Sequence, residues 1–252
     1  MFPVSLKTML CCFLRTYLMG SGFNTRGMQN IGLAFAIDPA LREIYPDTGK
    51  LQKARRRYIK LYNTHHLWNH LMVALFIDLE KKISQDLVPP QTISKIRSTL
   101  GFTLSAIGDS FFSGSLLITW SLLTIILLFL EMSFWALILG IVLLLGIQIF
   151  KMFTFYMGAT QSLSFINQLK KWNLINWGSR LKILNSLLVP AFWLVIWPFN
   201  WHIYSFIWAS VCGLVLAYFY RTLIWAREIL LLFILILIFF VPGVFSWLNG
   251  QL

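Results

Sequence analysis

Charge is scarce in this chain: only 12% of residues are Asp, Glu, Lys or Arg, about half the share of an ordinary soluble domain. Acidic residues are the scarcer kind, 9 against 21 Lys and Arg. Cysteine is nearly missing as well. Three cysteines, two of them adjacent (Cys11 and Cys12), exclude a disulfide framework and read as buried or interfacial thiols. No small-residue cleavage site follows the short apolar run Met9–Leu14, which Arg15 closes, so no signal peptide is expected. Internal repeats and phosphate-cradling glycine loops are also wanting; Gly20-Ser21-Gly22 is too short for one.

What is there is apolar surface. Hydrophobic residues make up 58% of the chain and the mean hydropathy is +0.72. Charge-free runs cover Ser110–Leu130, Met132–Phe150, Ile183–Tyr220 and Ile229–Leu252. A bilayer core needs about 20 apolar residues of helix. The third run is long enough for two crossings, with a turn at Pro198-Phe199-Asn200-Trp201-His202. The expectation is an all-α integral membrane protein with about five spans, near 112–130, 133–150, 183–198, 202–220 and 229–248. Eleven Trp suit a chain with two water–lipid interfaces.

The net charge of +12 raises nucleic-acid binding, and its placement argues against it. If the spans alternate from a cytoplasmic N-terminus, all 21 Lys and Arg fall inside and the C-terminus lies outside, as the positive-inside tendency requires. The cluster Lys53-Ala54-Arg55-Arg56-Arg57 is suited to anionic headgroups of the lipid bilayer.

Residues 1–100 read as an amphipathic, cytoplasm-facing region and 101–252 as the membrane region. In the first, Asp38-Pro39 is expected to end one short helix, with further helices over Pro39–Tyr45, Lys50–Tyr62 and Leu67–Leu79. Pro89-Pro90 leads into a helix from Thr92 to about Leu104. Gly101–Gly114 (GFTLSAIGDSFFSG) places a carboxylate, three Gly and three Ser inside an apolar stretch. A charge at membrane depth is costly unless it faces protein or water, and broken helices often line transporter sites. This segment is therefore expected to be broken or re-entrant, with Asp109 as the first functional candidate. The competing reading makes Asp109 an interfacial cap for a helix starting near Ser110.

Several ordered motifs resemble one family. Phe13-Leu14-Arg15, Phe23-Asn24, Met28-Gln29-Asn30-Ile31-Gly32, Pro39-Ala40-Leu41-Arg42, Tyr45-Pro46 and Tyr62-Asn63-Thr64-His65 are similar to the IID subunit of mannose-type phosphotransferase-system sugar permeases. Glu80 matches an acidic residue of that family, and Gly108-Asp109 with Gly114 resembles its G-D-P-x-F-W-G. His66, Ser110 and Ser113 depart from the usual Pro, Pro and Trp. The resemblance implies a compact, divergent member in a bacterial inner membrane, pairing with a IIC subunit to bind and move a hexose-type sugar. Soluble IIA and IIB proteins would phosphorylate it, with no cofactor and no catalytic site in this chain.

Sugar hydroxyls need polar partners in a dry pocket; Asp109, Asn63, Ser105, Ser110 and Ser113 have that chemistry. A scaffold that keeps the fold without sugar binding is the alternative, and a lipid-modifying enzyme using His65, His66 and Asp109 a remoter one. His66 and His70 sit at a metal-compatible i, i+4 spacing, but no Glu between them and no third ligand nearby supports a metal site.

Overall fold

The computed structural model describes residues 2–195, and the expected spans beyond that point lie outside the described residues. Residues up to Phe192 form one compact unit. It is helical throughout; pairing between extended segments is confined, among the described residues, to isolated bridges Asn24–Met28 and Met28–Tyr62.

Helix α1 (Leu6–Thr16) starts where Ser5 accepts a hydrogen bond from the Thr8 N–H. The Ser5 N–H and hydroxyl in turn donate to Glu43, at 2.7 and 2.8 Å, tying this start to the end of α2 (Asn30–Ile44). Helix α2 runs straight through Pro39, against the expected break at Asp38-Pro39. Proline removes an N–H and frees the carbonyl four residues back, here that of Phe35. Arg15 donates to that oxygen at 3.1 Å, and its guanidinium covers the Phe35 ring. A neighbouring helix supplies the bond that the proline removed.

Helix α3 (Thr48–Tyr58) begins at Asp47, whose carboxylate accepts from the Lys50 N–H. Helix α4 (Asn69–Ser84) replaces the expected Leu67–Leu79. Every side chain from Leu71 to Ile77 is fully buried, which explains a sequence with no polar face. It packs against α1, α2 and the long α7 (Ser133–Gln161). Gly158 of α7 makes that approach possible, since a Cβ there would lie 2.9 Å from the Leu71 carbonyl oxygen. Helices on both sides of residue 100 thus share one core.

Helix α5 (Gln91–Gly108), a π-helical segment (Asp109–Leu116) and α6 (Leu117–Phe129) form one continuous helix of 39 residues. The expected break at 101–114 is absent. The glycines there serve close packing, and the irregularity takes the form of wider turns. Helix α7 is the second helix long and apolar enough to cross a membrane. The two meet at a tight turn where Glu131 takes a positive φ of 60°, at the position expected for the loop between the first two spans. Helices α8 (Leu163–Lys171) and α9 (Leu174–Val195) follow.

Candidate functional site

The site is built where the loop before α4 lies on the motif-bearing helix. Tyr62 to His65 are held from the N-terminal side: the Gln29 N–H donates to the Tyr62 carbonyl and the Gln29 side chain to the Thr64 carbonyl, both at 2.9 Å. The Tyr62 N–H donates to Gly27. Asn30 fixes the neighbouring turn, donating to the Ile59 carbonyl and accepting from Asn24 at 2.9 Å. These contacts give the Phe23-Asn24 and Met28–Gly32 motifs their role. They are braces for the Tyr62–His65 segment.

On its other side the segment touches α5. A Cβ on Gly108 would fall 2.3 Å from the His65 Cβ, and one on Gly101 would lie 3.2 Å from the Asn63 carbonyl oxygen. The spacing of seven, two helical turns, puts both glycines on one face. His65 is buried and stacks on Phe112, with ring centroids 5.5 Å apart. Its Nδ1 accepts from the Leu67 N–H, so the proton of the neutral ring sits on Nε2. That nitrogen donates to Ser113 Oγ at 3.0 Å. Burial holds the imidazole neutral, with its pKa lowered to about 4. Thr64 is buried, and its hydroxyl has no hydrogen-bond partner among the described residues.

Asp109 stands on the exposed side of the same helix. Its partner among the described residues is Ser105, at a long 3.4 Å, leaving most of its acceptor capacity free. Asn63 is half-buried; Ser110 is too, its hydroxyl 3.5 Å from Lys182 Nζ. Gly114 lies over the Asp109 carbonyl, where a Cβ would be 3.0 Å away. The fold therefore unites His65, Gly108 and Ser113 on one face and Ser105 with Asp109 on another. π-Helical turns in long helices occur often at functional positions, and this one begins at Asp109.

Glu80 lies elsewhere. It is fully buried, and its carboxylate receives two bonds from Arg57 (2.9 and 2.5 Å), one from Tyr45 (2.9 Å) and one from Tyr58 (2.7 Å). Burial foremost, with the carboxylate beside it, pushes the Tyr58 phenol well above its usual range. Glu80 is a structural keystone joining α4 to α3 and to Tyr45, the residue that closes α2. The basic cluster on α3 is correspondingly not all free for headgroups: Arg57 turns to Glu80 and Arg55 pairs with Asp38 at 2.7 Å.

His66 and His70 part company. A 3₁₀ turn (His66–Trp68) precedes α4 and leaves His66 exposed, while His70 is buried between Phe13 and Tyr17, both ring nitrogens without a hydrogen-bond partner among the described residues. No group of three metal-ligating side chains occurs among the described residues.

The sequence reading passed over a polar seam between α6 and α9. Thr119 donates to Asn185 Oδ1 at 2.7 Å, Asn185 donates to the Ser115 carbonyl at 3.1 Å, and Ser115 donates to the Ser110 and Gly178 carbonyls. A lone Asn in an apolar run, opposite a Ser and Thr four residues apart, was the available signal.

The profile of the phosphotransferase-system mannose/fructose/sorbose family IID component matches residues 3–196. The chain is similar to the mannose-specific EIID component of Escherichia coli strain K12, 29% identical over 105 residues, covering 41% of this chain and 37% of that protein. Similarity to the fructose permease IID component of Bacillus subtilis strain 168 is 22% over 111 residues, covering 44% and 40%. The match thus spans less than half the length of either relative. A chain from the structure of the mannose transporter ManYZ with microcin E492 shares the fold, with a TM-score of 0.56 at 18% identity, covering 100% of this chain and 99% of that one. By the profile match over residues 3–196, the chain belongs to the mannose/fructose/sorbose family of phosphotransferase-system IID components, which are membrane proteins.

Proposed function

We propose that this chain is the IID half of a sugar permease: with a IIC subunit it lines the path of a hexose-type sugar that soluble IIA and IIB proteins phosphorylate. Exposed Asp109 carries the proposal. A carboxylate on a membrane-length helix needs protein or water over it, and the described residues supply little besides Ser105. A partner subunit with a hydrated path between the two chains satisfies that need. Asp109 and Ser105 then form the wall that exchanges hydrogen bonds with sugar hydroxyls. Asn63 lies on the adjoining loop; Ser113, bonded to His65, and Ser110, beside Lys182, assist from the edge.

Five alternating spans with a cytoplasmic N-terminus and an external C-terminus complete the reading, supported by the two membrane-length helices and the one-sided placement of Lys and Arg. The N-terminal helices then meet the soluble partners.

The test is reconstitution. The chain should co-purify in detergent with a IIC subunit, and sugar uptake by the pair with its soluble partners should fall at least about tenfold in Asp109→Asn, as expected where a charged hydrogen bond to the sugar is lost. Normal uptake by that variant removes Asp109 from the path. A stable pair whose wild type moves no sugar makes the chain a scaffold.

A further inference from the structure

Between α3 and the start of α5 lies a cleft of about 340 Å³, lined by Arg57, Lys60, Pro90, Gln91, Ser94 and Arg97. Three of these six are cations, and no carboxylate lines the cleft. Glu80 neutralises Arg57 from the protein side. Among the described residues no carboxylate pairs with Arg97 or Lys60. Arg97 is only 8% exposed, and an unpaired buried charge is costly. Its guanidinium is held in place by the Arg57 carbonyl and, at 3.4 Å, by Ser94 Oγ. The cleft also receives the N-terminus of the 18-residue α5, whose N-cap residue Pro90 offers no side-chain cap to the first N–H groups, and the helix dipole there favours an anion.

We propose that this cleft is a binding site for a phosphate monoester, either soluble or carried by a lipid headgroup. Two uncompensated cations match a dianion, the planar Arg97 fork suits phosphate oxygens, and Ser94 adds a hydroxyl donor. Lys60, exposed at the rim, closes over the ligand. The site lies apart from Asp109 and its readout is binding, so it stands or falls independently of the permease reading.

The experiment uses the full-length protein. In detergent, inorganic phosphate should raise its melting temperature saturably, where chloride at equal ionic strength does not. In phosphatidylcholine nanodiscs, adding phosphatidic acid should do the same if the ligand is a lipid. Lys60→Gln should weaken the response about tenfold, the scale of one charge-assisted hydrogen bond. Lys53→Gln, an exposed lysine of α3 outside the cleft, should leave it intact. Arg97→Lys, which keeps the charge and loses the fork, should also weaken it. A response to phosphate in detergent identifies a soluble ligand, and one seen only with phosphatidic acid identifies a headgroup. No response from either, or equal loss in Lys53→Gln and Lys60→Gln, overturns the site.

Discussion

Glu80 shows how much one residue can hold. Four hydrogen bonds converge on a fully buried carboxylate, so its loss strands the Arg57 guanidinium and two phenols in the core. Glu80→Gln should cost about 3–5 kcal/mol, the range for breaking one side of a buried pair. Tyr45→Phe, which removes a single donor, should cost about 1 kcal/mol. Unfolding free energies from a denaturing-detergent titration check both; a near-neutral Glu80→Gln would mean that the bonds converging on this side chain do not hold the fold together. The family resemblance marked this residue by position, while its work is structural.

Among the elements, the helix carrying Asp109 differs most from the sequence expectation. Glycine and serine inside an apolar run are read as breakers when seen alone. Here Gly101 and Gly108 leave room for Asn63 and His65, and the helix continues by widening into π turns. Pro39 in α2 teaches the same lesson, since its cost is met by Arg15 from 24 positions earlier in the chain. The seam between α6 and α9 makes its own prediction. In an apolar surrounding, interhelical bonds such as Thr119–Asn185 are worth about 0.6–1.7 kcal/mol. A double-mutant cycle of Thr119→Val and Asn185→Leu should return a coupling energy in that range. A value near zero would show that the two helices associate by packing alone.

For the molecule as a whole, the buried histidines set a pH limit. Burial foremost, with His66 beside it, lowers the pKa of His65 to about 4, and burial with Lys151 and His66 nearby lowers that of His70 to about 3, from an ordinary 6.5. Because these values are lower folded than unfolded, the unfolded chain binds more protons between them. Stability is then complete above pH 6.5 and declines as pH falls toward 4 and below. Melting curves from pH 8 to 4 should show this loss, and His70→Phe, which removes one of the two protonation sites, should flatten it. An unchanged pH slope in that variant would mean that His70 does not contribute.

The sequence by itself determined the helical class, the first two apolar stretches with their turn at Glu131, and the family, because hydropathy and ordered local motifs are written along the chain. Tertiary structure alone decided what each motif does. Gln29, Asn30 and Arg15 act through partners 20 or more residues away, His65 turns toward Ser113, and Glu80 collects Arg57 and Tyr58 from α3 and Tyr45 from the end of α2. Close approaches at Gly101, Gly108 and Gly158 set where Asn63, His65 and Leu71 lie, and spacing along one chain does not encode which backbone will lie across such glycines.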